Sequence, residues 1–237
     1  MRLNKFLATN TGISRREADK LIEQGKVLIN DEKAVLGTKI TSGDEIIMDG
    51  HPVVENTASV TIILNKPVGY LSSRRSQGGD PTVYDLLPPE LQTLKTAGRL
   101  DRDSSGLMIM SSDGDLIQRL THPSYEKVKI YKIELDKPLE PLHQQMISDF
   151  GIDLPDGKSR LDLTSNVKSL TSNWTVTMHE GRNRQIRRTF SALGYTVTKL
   201  HRTDMGNYHL DDLESGKYKK LPGGSLQNTD QSVESAP

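Results

Sequence analysis

A short apolar run, LMIM at residues 107–110, follows Gly106 and ends at the turn-forming sequence SSDG, a pattern that predicts a core strand. Two charged residues, Arg99 and Asp101, stand just before this run. A carboxylate where a loop enters the core needs a partner, because burying it unpaired costs several kcal/mol. The alternative is a surface ion pair between Arg99 and Asp101, which would contribute little to stability. The sequence therefore predicts that Asp101 lies either in a surface pair or beside a cation from elsewhere in the chain.

The basic residues of the chain are concentrated in two segments. Its 31 basic and 31 acidic residues cancel, which argues against a general nucleic-acid binder. Residues 1–30, the first basic island, nevertheless hold six basic and three acidic residues, and residues 180–202, the second basic island, hold six basic and one acidic. The two islands indicate two separate contacts with anions. Within the second, Arg187 follows the core-facing position Ile186, which makes it a candidate partner for a buried Asp101.

The periodicity of apolar residues predicts short helices and short strands. Two helices are expected in the first thirty residues, the second beginning with a capping box at Ser14 and Glu17. Later patterns predict a strand at residues 60–64, a turn at 65–69, a helix after the Asp-Gly turn at 113–114, strands in KVKIYKIEL and NWTVTMHEG, and a helix in NRQIRRTFSALGY. Because this order is not a regular strand-helix repeat, we expect an α+β fold, with a mixed, mainly antiparallel sheet flanked by helices.

Composition divides the chain into four parts. A small helix-helix-strand domain is expected at residues 1–48, and a linker rich in Gly, Pro, Asn and Ser at residues 49–59. The larger domain is expected at residues 60–221. Residues 222–237 lack aromatic side chains and are rich in polar residues and glycine, so they are predicted to form a disordered tail.

Several classes of protein and site are excluded or disfavoured by the residues that are missing. The chain has no cysteine, which excludes disulfides, thiol catalysis and cysteine-based metal centres. Its six histidines are scattered and predict no metal site. Its first residues lack a signal-peptide core, and no stretch approaches the roughly 18 apolar residues of a membrane span, so we expect a cytoplasmic protein without membrane contact. An aspartate-based hydrolase lacks support, because neither a second carboxylate motif nor a phosphate-binding loop is present.

The first basic island belongs to a longer resemblance. Residues 2–46, RLNKFLATNTGISRREADKLIEQGKVLINDEKAVLGTKITSGDEI, closely resemble the small RNA-binding domain named after ribosomal protein S4. The resemblance implies contacts with structured RNA, directed to its backbone and shape. The alternative is an ordinary solvated helix face, which the neighbouring acidic residues support. The implied RNA contacts are Arg2, Lys5, Arg15, Arg16, Lys20 and Lys26.

Three later motifs resemble, in order, those of pseudouridine synthases of the ribosomal small-subunit and large-subunit type. GRLDRDSSGL implies a catalytic Asp101, KVKIYKIEL implies that Tyr131 stacks on the uracil and helps remove the C5 proton, and EGRNRQIRRTF implies that Arg187 holds Asp101 ionised and oriented. Thr189 departs from the family, which more often has a large apolar residue there, and residues 139–173 match only loosely. The arginines expected to hold phosphates flanking the site are Arg99, Arg182, Arg184 and Arg188.

This resemblance implies an isomerase that converts uridine to pseudouridine in ribosomal RNA after flipping the base out of its stack. It implies no cofactor and no metal, and we expect a monomer whose partner is structured ribosomal RNA. The sequence names neither the uridine nor the ribosomal subunit, although we favour the large subunit. Two alternatives stay open: a catalytically inactive RNA-binding factor for ribosome assembly, and a synthase that acts on transfer RNA.

Overall fold

Two helices and four short strands form the N-terminal unit. A computed structural model describes residues 1–55, 59–125, 127–167 and 170–222. The side-chain oxygen of Ser14 accepts a hydrogen bond from the backbone N–H of Glu17 at 3.1 Å, which begins the second helix where the sequence predicts it. The strands pair antiparallel in the order β2-β1-β3-β4. The elements are α1 (Leu3–Asn10), α2 (Arg15–Glu23), β1 (Val27–Ile29), β2 (Glu32–Lys33), β3 (Ile46–Met48) and β4 (His51–Pro52).

The N-terminal unit extends beyond its predicted end at residue 48. Strand β4 lies inside the predicted linker and pairs with β3, and Val53 packs against the same hydrophobic cluster as Leu7 and Val27. The sequence pattern did not predict this strand because it has only two residues. One of them is a proline, which sheets accommodate at their edge strands. The middle of the predicted linker, residues 56–58, and the predicted disordered tail, from residue 223 onward, lie outside the described residues.

A nine-stranded sheet forms the second unit, and it is mixed and mainly antiparallel, as predicted. Seven strands follow one another in the order β11-β12-β8-β13-β7-β5-β15, while β6 pairs with β7 and β14 with β13. Among the strand pairs of the described residues, β7 and β13 alone run parallel. A separate hairpin is made by β9 (Ile152–Leu154) and β10 (Gly157–Ser159). The sheet strands are β5 (Thr61–Lys66), β6 (Lys95–Thr96), β7 (Ser105–Ser111), β8 (Lys129–Leu135), β11 (Asp162–Thr164), β12 (Asn173–Met178), β13 (Val197–Met205), β14 (Tyr208–His209) and β15 (Tyr218–Lys220).

Short helices flank this sheet. The helix predicted after the Asp-Gly turn begins where the carboxylate of Asp113 accepts hydrogen bonds from the N–H groups of Asp115 and Leu116. The helix predicted in the second basic island is shorter than its pattern and buries Ile186 and Phe190. None of the helices in the described ranges is long and apolar enough to cross a membrane. The helices are α3 (Gly114–Thr121), α4 (Pro141–Gln145), which continues as a π-helical turn at Met146–Phe150, α5 (Gln185–Ser191), and 3₁₀ turns at Val83–Leu86, Pro89–Leu91 and Pro123–Tyr125.

The apolar run at residues 107–110 is the buried centre of β7. Leu107 and Ile109 pack with α3 on one face of the sheet, whereas Met108 and Met110 join the main core on the other. All four side chains are fully buried. A strand covered on both faces has no solvent side, so its sequence is continuously apolar and does not alternate.

The parallel contact between β7 and β13 depends on the glycine at the start of the apolar run. Gly106 has a φ of +105°, a conformation that side-chain-bearing residues rarely adopt. A Cβ atom at this position would lie 2.2 Å from the carbonyl oxygen of Arg202 and 2.6 Å from its nitrogen. The two backbones therefore approach one another at a distance that excludes every other residue type.

We expect Gly106→Ala to lower the free energy of unfolding by about 3 kcal/mol, because it adds a backbone clash to a strained φ. Urea denaturation measures the loss. The matched control is Gly216→Ala, where φ is +79° but nothing lies within 4 Å of the added Cβ, so only a backbone cost of about 1 kcal/mol is expected. Equal losses in the two variants would contradict the close approach.

Candidate active site

Loops and strand ends from distant parts of the chain enclose a cavity of about 1160 Å³. The segments around Asp101, around Tyr131 and at the start of α5 all contribute to its wall, so the three predicted catalytic residues, Asp101, Tyr131 and Arg187, meet at one cavity. Other lining residues that bear on its chemistry are Gln77, Arg99, Arg102, Ser104, Lys129, Arg160, Asp162, Glu180, Arg182, Arg184, Gln185 and Arg202.

Asp101 pairs with a different arginine from the one predicted. Its Oδ2 lies 3.3 Å from Nη1 of Arg184, and its side chain is 35% exposed. Arg187 instead places Nε 3.3 Å from Oδ2 of Asp103 and donates from Nη2 to the main-chain oxygen of Asp103. The prediction missed this because Arg184 precedes α5 in a left-handed conformation, φ +46°, which brings its side chain to the loop that carries Asp101.

Asp103 forms ion pairs with both Arg184 and Arg187. Both of its carboxylate oxygens accept hydrogen bonds from Arg184, at 3.1 and 3.0 Å, an arrangement that matches the planar guanidinium fork. These bonds hold the pKa of Asp103 below its usual value, with help from the charge of Arg187. The second basic island is thereby attached to the loop that carries Asp101.

Lys66 fixes the other side of this loop. Strand β5 continues through Asn65 and Lys66, where the sequence predicts a turn, and the Lys66 side chain is fully buried. Its Nζ donates hydrogen bonds to the main-chain oxygens of Pro67 at 3.0 Å, Asp101 at 3.0 Å and Ser104 at 2.7 Å. Burial lowers the pKa of Lys66 to about 8, although the charges of Asp103 and Asp101 oppose this change.

This lowered pKa predicts a pH dependence of stability. Below pH 8 the folded chain must hold a charged ammonium in the core, whereas the unfolded chain keeps the ordinary Lys pKa of 10.5. Between pH 8 and 10.5 the unfolded state binds more protons, so stability gains as pH rises through this window. We expect the unfolding free energy of the wild type, relative to Lys66→Met, to rise by about 2 kcal/mol from pH 7 to pH 10. Urea denaturation of both proteins at each pH tests this, and a constant difference would contradict it.

Tyr131 and Arg202 face each other across neighbouring strands. They are register partners in the antiparallel pair of β8 and β13, and both are buried. Nε of Arg202 donates to the main-chain oxygen of Leu107 at 2.8 Å. Arg202 is one of the basic residues of the second island, and no sequence motif assigns it a role. The signal that could have found it is the strand alternation, which puts Arg202 on the same face as the buried Leu200.

Arg182 and Arg188 clamp the hairpin of β9 and β10 beside the cavity. The guanidinium of Arg182 donates to the main-chain oxygens of Asp156, Gly157 and Lys158, and Arg188 forms a two-bond ion pair with Asp156 at 2.9 and 2.7 Å. The pKa of Asp156 is lowered, mainly by these bonds from Arg188. The structure thus gives both arginines intramolecular partners, and their predicted phosphate contacts stay predictions.

Thr189 has a structural reason to be polar. It is fully buried, and its hydroxyl lies 2.8 Å from the hydroxyl of Ser159 on β10 while donating to the main-chain oxygen of Gln185. The side-chain amide of Gln185 also donates to Ser159. A larger apolar side chain at position 189 would remove the two hydrogen bonds of the Thr189 hydroxyl and leave Ser159 with the Gln185 amide alone. The hydroxyl therefore joins α5 to the hairpin.

The remaining predicted RNA contacts fall into two groups. Arg99 is exposed at the cavity, and Arg2, Arg15, Arg16 and Lys20 are exposed on the N-terminal unit. Lys5 and Lys26, by contrast, form ion pairs with Asp115 at 2.6 Å and Asp49 at 3.1 Å. The first group is therefore the one whose charges are available to an external anion.

Family models match both parts of the chain. The model described as RNA pseudouridylate synthase matches residues 60–192, and the S4 domain model matches residues 1–46. The chain belongs to the RNA pseudouridylate synthase family. The cavity lies within the synthase match, apart from Leu200, Arg202 and Met205, which β13 contributes from beyond its end.

Relatives in this family are similar over nearly the whole chain. Ribosomal small subunit pseudouridine synthase A of Pasteurella multocida is 36% identical over 93% of this chain and 96% of its own length. Ribosomal large subunit pseudouridine synthase B of Bacillus subtilis is also 36% identical, over 93% and 91%. A crystal structure of a pseudouridylate synthase is 34% identical and superposes with a TM-score of 0.66, covering 93% of this chain and 96% of the other. The chain is thus equally similar to a small-subunit and a large-subunit synthase.

Proposed function

We propose that this synthase converts uridine to pseudouridine in ribosomal RNA, with Asp101 as the catalytic carboxylate. The observation that carries the proposal is the meeting of Asp101, Tyr131 and a set of arginines at one cavity in a chain of this family. The ribosomal names of the similar synthases support ribosomal RNA as the substrate. That substrate implies a cytoplasmic protein, and we propose that it works as a monomer without a cofactor.

The reaction is an isomerisation in which no atom is gained or lost. The bond between ribose C1′ and uracil N1 breaks, the base turns, C5 forms a new bond to C1′, and the C5 proton is replaced by one on N1. The Asp101 carboxylate acts on the ribose as nucleophile or as base. Arg184 holds this carboxylate through a contact of 3.3 Å. Tyr131 stacks on the uracil and helps remove the C5 proton.

The target uridine has to leave its stack to reach the cavity, at a cost of a few kcal/mol. Contacts with flanking RNA offset this cost. We assign the docking contacts to the N-terminal unit, predicted at residues 1–48 and extended by β4, and the chemistry to residues 60–221. Docking is directed to RNA backbone and shape, so the exposed cations Arg15, Arg16 and Lys20 on α2 are central to it.

We expect Asp101→Asn to abolish tritium release from unmodified ribosomal RNA labelled at uridine C5. The amide cannot act as base or nucleophile, whereas RNA affinity and the thermal unfolding midpoint should stay near the wild-type values. Asp212→Asn, at an exposed position outside the cavity lining, is the control and should release tritium at the wild-type rate. Full activity of Asp101→Asn would overturn the assignment. A wild type that binds ribosomal RNA without releasing tritium would instead indicate an RNA-binding assembly factor.

The proposed docking contacts on α2 predict how the affinity for RNA depends on salt concentration. The double variant Arg16→Ala/Lys20→Ala should reduce the slope of log affinity against log salt by about 2 units, because each phosphate contact releases counterions. Filter binding with ribosomal RNA at several salt concentrations measures the slope. The control, Lys33→Ala/Lys39→Ala, removes two exposed charges from the same domain outside the predicted contacts. Equal slopes for the two double variants would contradict the assigned surface.

A further inference from the structure

The guanidinium of Arg202, in the cavity wall, has one nitrogen without a hydrogen-bond partner among the described residues. Arg202 is only 2% exposed and lines the cavity together with Asp101 and Tyr131. Its Nε donates to the Leu107 carbonyl, but its Nη2 is buried without a hydrogen-bond partner in the described part of the chain. A buried, unsatisfied donor costs roughly 1 to 3 kcal/mol, and more for a charged group. Such a group calls for a ligand that satisfies it.

The charge around Arg202 points to an electron-rich ligand. Lys129, two residues before Tyr131 on the same face of β8, also lines the cavity. Its pKa is lowered, first by burial and then by the positive charge of Arg202, so the two cations lie close enough to repel each other. Arg202 forms no ion pair with any carboxylate in the described ranges. An acceptor that carries negative charge would relieve this repulsion.

The strand register indicates that the acceptor for Arg202 belongs to the uracil base of the substrate. Arg202 is the cross-strand partner of Tyr131, and directly opposed residues have Cβ atoms about 5 Å apart. A uracil stacked on Tyr131 therefore presents its polar edge within reach of the Arg202 guanidinium. The phosphates of the RNA backbone stay at the rim, where the exposed Arg99 is available to them.

We propose that Arg202 is a further catalytic residue, whose guanidinium donates to a carbonyl oxygen of the flipped uracil and stabilises the base as an anion. This inference rests on the proposed function. When the C1′–N1 bond breaks, its electron pair goes to the uracil, whose N1 and carbonyl oxygens share the negative charge, and C1′ is left as a cation or bonded to the Asp101 carboxylate. When C5 attacks C1′, an electron pair of the uracil anion forms the new C–C bond, any bond from Asp101 to C1′ breaks, and the C5 proton is released and replaced on N1. A fixed donor at the oxygen strengthens in the charged state, so it lowers the barrier more than it tightens binding.

The test is single-turnover tritium release from C5-labelled ribosomal RNA by the full chain, with RNA affinity measured in parallel. Arg202→Met should lose about 10²-fold in rate, the usual effect of removing one such donor, while its RNA affinity changes less than about threefold. Arg202→Lys restores the charge and one donor and should recover part of the rate. Lys220→Met, which removes an exposed charge outside both basic islands and outside the cavity lining, is the control and should match the wild type.

The outcomes separate this inference from the proposed function. A wild-type rate in Arg202→Met, or a loss confined to RNA affinity, as for a phosphate contact, would overturn the role of Arg202 and leave the synthase activity standing. If thermal unfolding shows that Arg202→Met does not fold, Arg202→Lys decides, because a wild-type rate there contradicts the need for the guanidinium and a reduced rate at unchanged affinity supports it. A wild type that releases no tritium removes the proposed function and this inference with it.

Discussion

The candidate site depends on the hydrogen bonds that the buried ammonium of Lys66 donates. This ammonium draws together the carbonyl oxygens of Pro67, Asp101 and Ser104, which lie at the end of β5 and in the loop before β7. Lys66 is also the register partner of Gly106 in the antiparallel pair of these strands. The loop carrying Asp101 is therefore tied to β5 at Asp101 itself and at Ser104, directly before β7. A short loop held in this way keeps its carboxylate in one place without needing a carboxylate-to-lysine ion pair.

Strand register then brings the other groups to the same place. Tyr131 on β8, Arg202 on β13 and Gly106 on β7 are successive partners across three neighbouring strands. The parallel contact between β13 and β7 is what sets Arg202 beside the start of β7, and the missing side chain of Gly106 is what allows that contact. One line of the sheet thus connects Tyr131, Arg202 and the loop with Asp101. A shift of one residue in any of these pairings would turn a side chain to the opposite face.

Sequence patterns predicted those features of the fold that depend on neighbouring residues alone. The apolar run before SSDG, the Ser14 cap and the buried face of α5 were all predicted, because periodicity and capping are local properties. The partner of Asp101 was not, since it depends on the left-handed turn at Arg184 and on how α5 packs against the sheet. The burial of Lys66 was not predicted for a similar reason, because a lysine before a proline is typical of an exposed turn. Its burial follows from strand pairing, which no local pattern contains.

The two carboxylates of the loop, although only two residues apart, have different surroundings. Asp103 accepts two hydrogen bonds from Arg184 and lies 3.3 Å from Nε of Arg187, so its lone pairs are committed and its pKa is lowered. Asp101 shares Arg184 through a single 3.3 Å contact and keeps part of its surface open to the cavity. A carboxylate saturated by guanidinium donors is a poor base and a poor nucleophile, whereas one held by a single long contact retains free lone pairs. Under the proposed function, Asp103 therefore positions the arginines, and Asp101 is the carboxylate left free to react.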